Sequence, residues 1–594
     1  MSDTLSEIIA TRIVPHVAQH VLQVDAQRAS VVVDGVQAFA GGDKFLSGKV
    51  AVMVCYLLTQ AENERKCDNS ALMRSREMLS WLAPIKTETW GILNFLNGLY
   101  LLKEANLLES VVSDDTLKTL QTNLDWRTFV NVEDLTLRNL PTNYYGVAFG
   151  IAKYRELLGW EAEHVSQPIF DRLMSHIEHY SQQNGYMDET EGEGRFDRYT
   201  VLLPAELSAL LTSTGVAVPE RLRSMLRKSS EICLRLANER GHGFSYGRSI
   251  GAYGDTCPLE VLSIAALLGV LSDEEKRLAY AYAVRIMRKF IEFWLDDDMQ
   301  SVNMWEHGRQ TDGYRHKGRI LGENMSLCWQ LIRVAHHFAE TEVKYASAQL
   351  DLRKLATHTP KCQVYRFTND HDVRALAIIR DGSHVFSLPL INGGRGVTGE
   401  HSQHYFWSTP YLPIPFENEV LEVAPGTHHP QLAPRILMAD GAELMPIVYL
   451  SDLTHEQTAS GCKISYTLPH LCQVDGPAPQ ANPSFAADVT YSFEPGRIHC
   501  DMRFVPQTSV EVTDVRMDFA TFSDLPAVQK ASVTFGEGVI KQIQLNGLYL
   551  EKVEYVETRK PYHTSHGALK WNTCFVNDAI SQSEPFHVAW TIDF

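Results

Sequence analysis

At 594 residues the chain exceeds what one hydrophobic core of roughly 250–300 residues can organise, so at least two folding units are expected. A composition 44% hydrophobic and 21% charged excludes disordered and fibrous classes. The formal net charge of −18 argues against nucleic acid as a partner, because phosphate binding requires a basic surface, although a local basic cleft can override net charge.

No stretch approaches the roughly 18 uncharged apolar residues that cross a bilayer; the longest candidate is Val50 to Leu58, inside a helical pattern, so no membrane partner is expected. The N-terminal residues Met1 to Glu7 lack a basic segment followed by an apolar one, which makes a cytoplasmic location the expectation. The ten cysteines are scattered without a C-x-x-C pair, which predicts reduced, mostly buried thiols and no zinc knuckle.

From the N-terminus, helical periodicity recurs at Leu46–Gln60, Ser70–Leu82, Thr89–Ala105, Asn143–Leu158, Gln167–Gln183, Leu202–Thr212, Pro219–Asn238, Leu259–Leu267, Ser272–Trp294 and Gly322–Phe338. With no strand pattern between them, these helices must bury their apolar faces on one another, and without a fixed repeat length the series predicts an α/α toroid over residues 1–345. A short linker is expected at 346–360. Period-two alternation then takes over, as in Arg497–Val505, where Ile498, Cys500, Met502 and Phe504 share one face. Further strands are expected at Val373–Ile379, Ser383–Leu388, Ser465–Leu468, Ala487–Phe493, Ser509–Phe522, Ala531–Phe535 and Phe586–Phe594, which together make 361–594 an antiparallel β-sandwich. The expected class is therefore α+β multidomain.

Polar and glycine residues concentrate near several predicted helix starts. The first stretch is Leu140 to Gly146, with Asn143, Tyr144 and Tyr145. The second runs from Asn184-Gly185 through Arg195 and Arg198 to Tyr199. The third joins Gly241–Asp255, with His242, Tyr246, Arg248 and Tyr253, to His307–Asn324, with Arg309, Tyr314 and Arg315. Loops at one rim of a toroid are polar simply because they meet water. Their repeated pairing of tyrosine with arginine nevertheless suits an acidic sugar, since aromatic rings stack on pyranose faces and guanidinium pairs bidentately with carboxylate. In the β half, His401 and His404 stand in H-x-x-H spacing and are candidates for catalysis, substrate binding or a structural divalent metal; no cofactor is required. The His428-His429 pair beside Pro430 reads as a turn.

A helical toroid followed by a sandwich, with Asn before one helix and Tyr before a later one, resembles the heparinase II/III-like and alginate-lyase-like polysaccharide lyases. That resemblance implies an Asn-led helix start, a catalytic tyrosine some fifty to sixty residues on, and a histidine in the sandwich. Asn143 and Tyr199 stand 56 residues apart and match this spacing. The departure is that Tyr144 or Tyr145 stands where the family has its helical histidine, a role left open to His242, His401 or His404. The implied chemistry is β-elimination of a uronate. Asn143 with arginines among Arg195, Arg198, Arg248 and Arg315 offsets the carboxylate charge, and one tyrosine acts as base and then acid. Tyr199 is the first choice, Tyr253 and Tyr314 substitutes. An imported acidic oligosaccharide cut exolytically is the expected substrate. The rival reading is a glycoside hydrolase using two of Glu189, Glu191, Asp197, Asp255, Asp312 and Glu323. A uronate C5-epimerase uses the same residues as the lyase, and a non-catalytic carbohydrate-binding protein is the bland alternative. The sequence does not set the oligomeric state.

Overall fold

The computed structural model describes residues 4–181, 184–188, 196–244, 249–309, 315–349, 351–352, 355, 359–369, 373–391, 432–447, 449–473, 480–509, 511–577 and 584–594. It is helical up to Tyr345 and antiparallel sheet from Lys361 to Asp593, an α+β arrangement. No helix among the described residues is long and apolar enough to cross a membrane. All ten cysteines are free and eight of them are buried.

Helix Leu46–Asn63 packs on Thr89–Glu104, and that helix on Tyr144–Leu157. Arg198–Ser213 packs on Ala252–Leu267, which packs on Ile320–Tyr345, which returns to Leu46–Asn63. The remaining step is bridged at Gly150, where an added Cβ would press on Leu93 of one neighbour and Leu210 of the other. Close approach is also built in where Leu46–Asn63 meets Thr89–Glu104. A Cβ at Gly48 would lie 1.8 Å from the Gly91 carbonyl oxygen, so only glycine allows that backbone contact.

Several helices begin earlier than their apolar periodicity suggested, and the reasons are local. Asp197 caps Arg198–Ser213, its Oδ1 accepting from the Tyr199 amide at 2.8 Å, so the helix starts four residues before Leu202. The helix expected over Leu259–Leu267 extends over Ala252–Leu267 and passes through Pro258. The proline cannot donate to the Gly254 carbonyl four residues back, and that oxygen accepts from the Phe244 amide at 2.9 Å instead. Asp273–Lys289 follows a Ser272/Glu275 capping box and ends in a π turn at Phe290–Trp294. The N-terminal helices from Leu5 to Gln27 and the helix Asp114–Asn123 were absent from the sequence reading.

The β region holds an eight-stranded sheet in the order Ser451–Gln457, Cys462–Leu468, Phe485–Glu494, Arg497–Pro506, Phe586–Asp593, Gln542–Asn546, Ser532–Glu537 and Asp524–Gln529. A seven-stranded sheet runs from Gln480–Asn482 to Tyr549–Tyr555 with Val512–Thr521 near its centre. In Arg497–Pro506 the residues Ile498, Cys500, Met502 and Phe504 are all buried, as the alternation required. A three-stranded sheet, Lys361–Arg366, Arg374–Asp381 and His384–Ile391, meets the helical part: Arg380 donates to the carbonyls of Arg235 (2.8 Å) and Ala237 (2.6 Å). Nearby, Phe367 stacks on Phe196 with ring centroids 5.2 Å apart.

Candidate active site

A cavity of about 360 Å³ opens among these packed helices. Each helix contributes the face that its side-chain period turns the same way: Trp90, Leu93, Asn94 and Asn97 from one, Arg198, Tyr199, Leu202 and Glu206 from another. The cavity thereby brings together Asn143, Tyr144, Arg198, Tyr199, Tyr253 and Arg315, which lie in three separate sequence stretches.

Asn143 immediately precedes helix Tyr144–Leu157, and its side-chain oxygen is buried with no hydrogen-bond partner among the described residues. The Tyr199 hydroxyl lies 3.2 Å from Ser249 Oγ, and the Arg198 guanidinium sits over the Tyr199 ring, 4.5 Å from its centroid. Arg198 is 2% exposed; its Nη1 donates to the Tyr253 carbonyl at 3.0 Å while its Nε has no partner among the described residues. Tyr253 is tied into a buried cluster. Its hydroxyl donates to Glu323 Oε2 at 2.5 Å, and the Arg315 guanidinium lies 3.9 Å from its ring centroid. Burial, then the adjacent Glu323 carboxylate, push its phenol well above the ordinary value.

Glu323 itself is fully buried and receives Arg319 at 2.9 Å and Arg315 at 3.1 Å, with Lys49 at 4.0 Å. These cations hold its carboxyl below the usual range against the burial penalty. Lys49 also pairs with Asp43 at 2.8 Å, and Gly322 makes room for that pair, since a Cβ there would lie 1.8 Å from Asp43 Oδ2. The lining carries six cationic side chains, Lys44, Lys49, Arg198, Arg315, Arg319 and Arg333, against two carboxylates, Glu206 and Glu260. With the carboxylates that pair with these cations from behind the lining, Glu323, Asp43 and, at 3.0 Å from Lys44, Glu88, the site holds six cations against five carboxylates, a small positive excess in an acidic protein.

Other sequence candidates lie elsewhere. Tyr145, one residue and so about 100° round the helix from Tyr144, is buried against His176, with ring centroids 5.3 Å apart, and does not line the cavity. His242 is buried and stacks on His566 of the β region at 4.0 Å. Arg309 donates to the Phe293 carbonyl and sits 3.7 Å from Asp296, off the cavity. Of the carboxylates considered for hydrolysis, Asp197 caps a helix, Asp255 holds Lys289 at 2.6 Å and Trp294 at 2.8 Å, and Glu323 serves the cation cluster. Arg195, Tyr246, Arg248, Tyr314, His401, His404, Glu189, Glu191 and Asp312 fall outside the described residues. Among the described residues no group of three or more His, Cys, Asp or Glu side chains could hold a metal ion.

The cavity also contains residues that motif reading passed over: Trp90, Asn97, Tyr154, Glu206, Glu260, Trp329 and Arg333. Two carried a signal. Glu206 and Glu260 are each the lone charge inside otherwise apolar runs, Val201–Leu211 and Pro258–Leu268, where a carboxylate is costly without a task.

No protein-family model and no curated protein sequence matches this chain. Its fold matches solved polysaccharide lyases. Chondroitin AC lyase of Streptomyces coelicolor A3, solved as a mutant and in complex with chondroitin sulphate, aligns with a TM-score of 0.54 at 11% identity, over 98% of this chain and 79% of that one. Paenibacillus xanthan lyase aligns with a TM-score of 0.55 at 8% identity, over 100% of this chain and 57% of that one. Such identities establish the fold alone, and the chain resembles these polysaccharide lyases in architecture from end to end.

Proposed function

We propose that the protein is a lyase that cleaves uronate-containing oligosaccharides by β-elimination. On this reading the helices that return on one another form an α/α toroid over residues 1–345, the two large sheets form a β-sandwich within 361–594, and 346–360 connects them. The observation that carries the reading is the convergence of Asn143, Arg198 and Tyr199 on one cavity. The complex of the similar lyase with chondroitin sulphate supports an acidic polysaccharide as the substrate class.

The chemistry follows from charge. Taking the C5 proton of a uronate leaves a carbanion that persists only as an enediolate, so donors must meet the carboxylate as its charge grows. Arg198 fills this role with its buried Nε, which has no partner among the described residues, and Asn143 contributes through its side-chain amide N–H, since its amide oxygen can only accept. Tyr199 is the base and then the acid toward the glycosidic oxygen. Its hydroxyl reaches Ser249, and the Arg198 guanidinium beside its ring offsets negative charge that develops as the proton moves. Tyr253 is the poorer base, since its proton is held by a carboxylate in a buried site.

Incubating the protein with glucuronate, mannuronate, guluronate and galacturonate oligosaccharides, and following both ultraviolet absorbance of the unsaturated product and new reducing ends, tests the assignment. Absorbance in the wild type that disappears in Tyr199→Phe is the expected result. Reducing ends without absorbance, lost in Glu206→Gln or Glu260→Gln, would mean a hydrolase using that acid pair.

A further inference from the structure

Ser249 stands between Tyr199 and the cation cluster around Glu323. Its Oγ lies 3.2 Å from the Tyr199 hydroxyl and accepts from Arg315 Nη2 at 3.1 Å, while Arg315 Nη1 donates to Glu323 Oε2 at 3.1 Å. Ser249, Arg315 and Glu323 are all buried, so water competes little for these bonds and each is strengthened by the low dielectric around it.

The backbone at Ser249 is strained. Its φ of 58° lies in the left-handed region, which glycine enters freely and other residues enter rarely. Such angles persist where the surroundings over-determine them, and they gather at functional sites. Two residues on, Gly251 with φ 77° precedes helix Ala252–Leu267, so one short turn delivers both Ser249 and Tyr253 to the Arg315 guanidinium. Glycine would take the angle at 249 without strain. Serine adds a hydroxyl, and that hydroxyl is the group that Tyr199 and Arg315 both meet.

We propose that Ser249 is a positioning residue for Tyr199, its hydroxyl linking the Arg315 guanidinium to the phenol oxygen and turning from acceptor to donor when Tyr199 loses its proton. The inference rests on the reading of Tyr199 as the base. A hydroxyl has one proton and two acceptor lone pairs, so Oγ can accept from Arg315 in both states of the tyrosine. Beside a neutral phenol, its second lone pair receives the Tyr199 O–H. Beside a phenolate, which only accepts, its own O–H swings round to donate, and no proton passes between the two residues. Hydrogen bonding to the ionised form favours that form, and the guanidinium on Oγ polarises the donor further. Arg198 acts over the ring, 4.5 Å from its centroid, whereas Ser249 acts at the oxygen that would take the C5 proton.

The ionisation of Tyr199 can be read without substrate. The protein is labelled with 3-fluorotyrosine, the Tyr199 signal is identified as the one absent from Tyr199→Phe, and its titration is followed by fluorine NMR in wild type, Ser249→Ala and Ser249→Gly. Glycine suits φ 58°, so the second variant keeps the turn even where the first fails to fold. In the folded variants the ionisation should move upward by about one pH unit or more, the size expected when a hydrogen bond to a charged group is lost. The same shift in a Ser249→Gly protein that melts no lower than the wild type separates the hydroxyl's role from packing. An ionisation that stays in place or falls in the folded variants overturns the proposal, as does a wild-type Tyr199 that remains neutral until alkaline unfolding. Assays with the uronate oligosaccharides keep the two readings apart. A shifted titration without unsaturated product from any of them would keep the coupling of Ser249 to Tyr199 and remove the lyase reading; unsaturated product with an unmoved titration would do the reverse.

Discussion

Glu323→Gln should be among the most destabilising single changes in the helical part. Glu323 is fully buried and sits between Arg319 at 2.9 Å and Arg315 at 3.1 Å, whose side chains are 12% and 8% exposed. At ~3 Å and an effective dielectric of ~20, each such pair is worth about 5 kcal/mol of Coulomb attraction, opposed by the desolvation of three ions. Glutamine preserves the volume and can still accept from Tyr253, so neither a cavity nor a lost neutral hydrogen bond enters. Lys49 keeps Asp43 at 2.8 Å. What remains is excess positive charge on two buried guanidiniums, the situation that costs about 3–5 kcal/mol when one partner of a buried ion pair is removed. Tyr253→Phe deletes only the hydrogen bond to the same carboxylate and should cost about 1.5–3 kcal/mol. Urea denaturation followed by tryptophan fluorescence measures both. A loss below about 1 kcal/mol for Glu323→Gln, or one no greater than that of Tyr253→Phe, would refute an electrostatic keystone at this position.

Acidification should destabilise the helical part through three histidines. Burial lowers His20 and His176 to about 4 and His337 to about 3, from an ordinary 6.5. Depressed folded values mean that their contribution is present above 6.5 and lost as the pH falls toward 4, with a slope of at most about 1.4 kcal/mol per pH unit each. His20→Gln should flatten the fall of the melting midpoint between pH 6.5 and 4. On the alkaline side Glu260 acts with opposite sign. Raised to about 8 by burial and Glu206, it contributes fully below 4.5 and loses that contribution as the pH climbs through 8, a loss that Glu260→Gln should remove from the melting curve. Gly48→Ala should cost about 1–3 kcal/mol by forcing two helix backbones apart, as read by thermal unfolding; an unchanged midpoint would contradict the close contact with Gly91.

The change from helix to strand was legible because the two side-chain periods differ, and Ile498, Cys500, Met502 and Phe504 show the alternation without interruption. Helix starts were less legible where a cap or a proline had to be weighed against tertiary contacts. Pro258 stops a helix in isolation, yet the Gly254 carbonyl it abandons is taken up by Phe244, a residue ten positions back that no local pattern connects to it. In the site, Asn143, Tyr144, Arg198, Tyr199, Tyr253 and Arg315 were found because they stand at or near helix starts rich in glycine. Tyr145 and His242 were grouped with them on proximity in sequence, and the helix turn and the contact with His566 carry those side chains elsewhere.

Net charge described the surface and not the cavity. The chain's −18 is a sum over 126 ionisable Lys, Arg, Asp and Glu side chains, whereas the site depends on eight that the fold turns inward, six of them cationic. Burial magnifies those few, because the low dielectric that makes an unpaired charge costly also makes a matched ligand charge valuable. Glu323 already spends its charge on Arg315, Arg319 and Lys49, which fixes their guanidinium and ammonium groups in place before any substrate arrives. Arg198 differs in keeping one donor, Nε, without a partner among the described residues. On the proposed reading an anionic sugar entering the cavity meets cations already positioned by protein, and the position of Arg198 beside Tyr199 puts the least satisfied of them next to the hydroxyl proposed for the proton transfer.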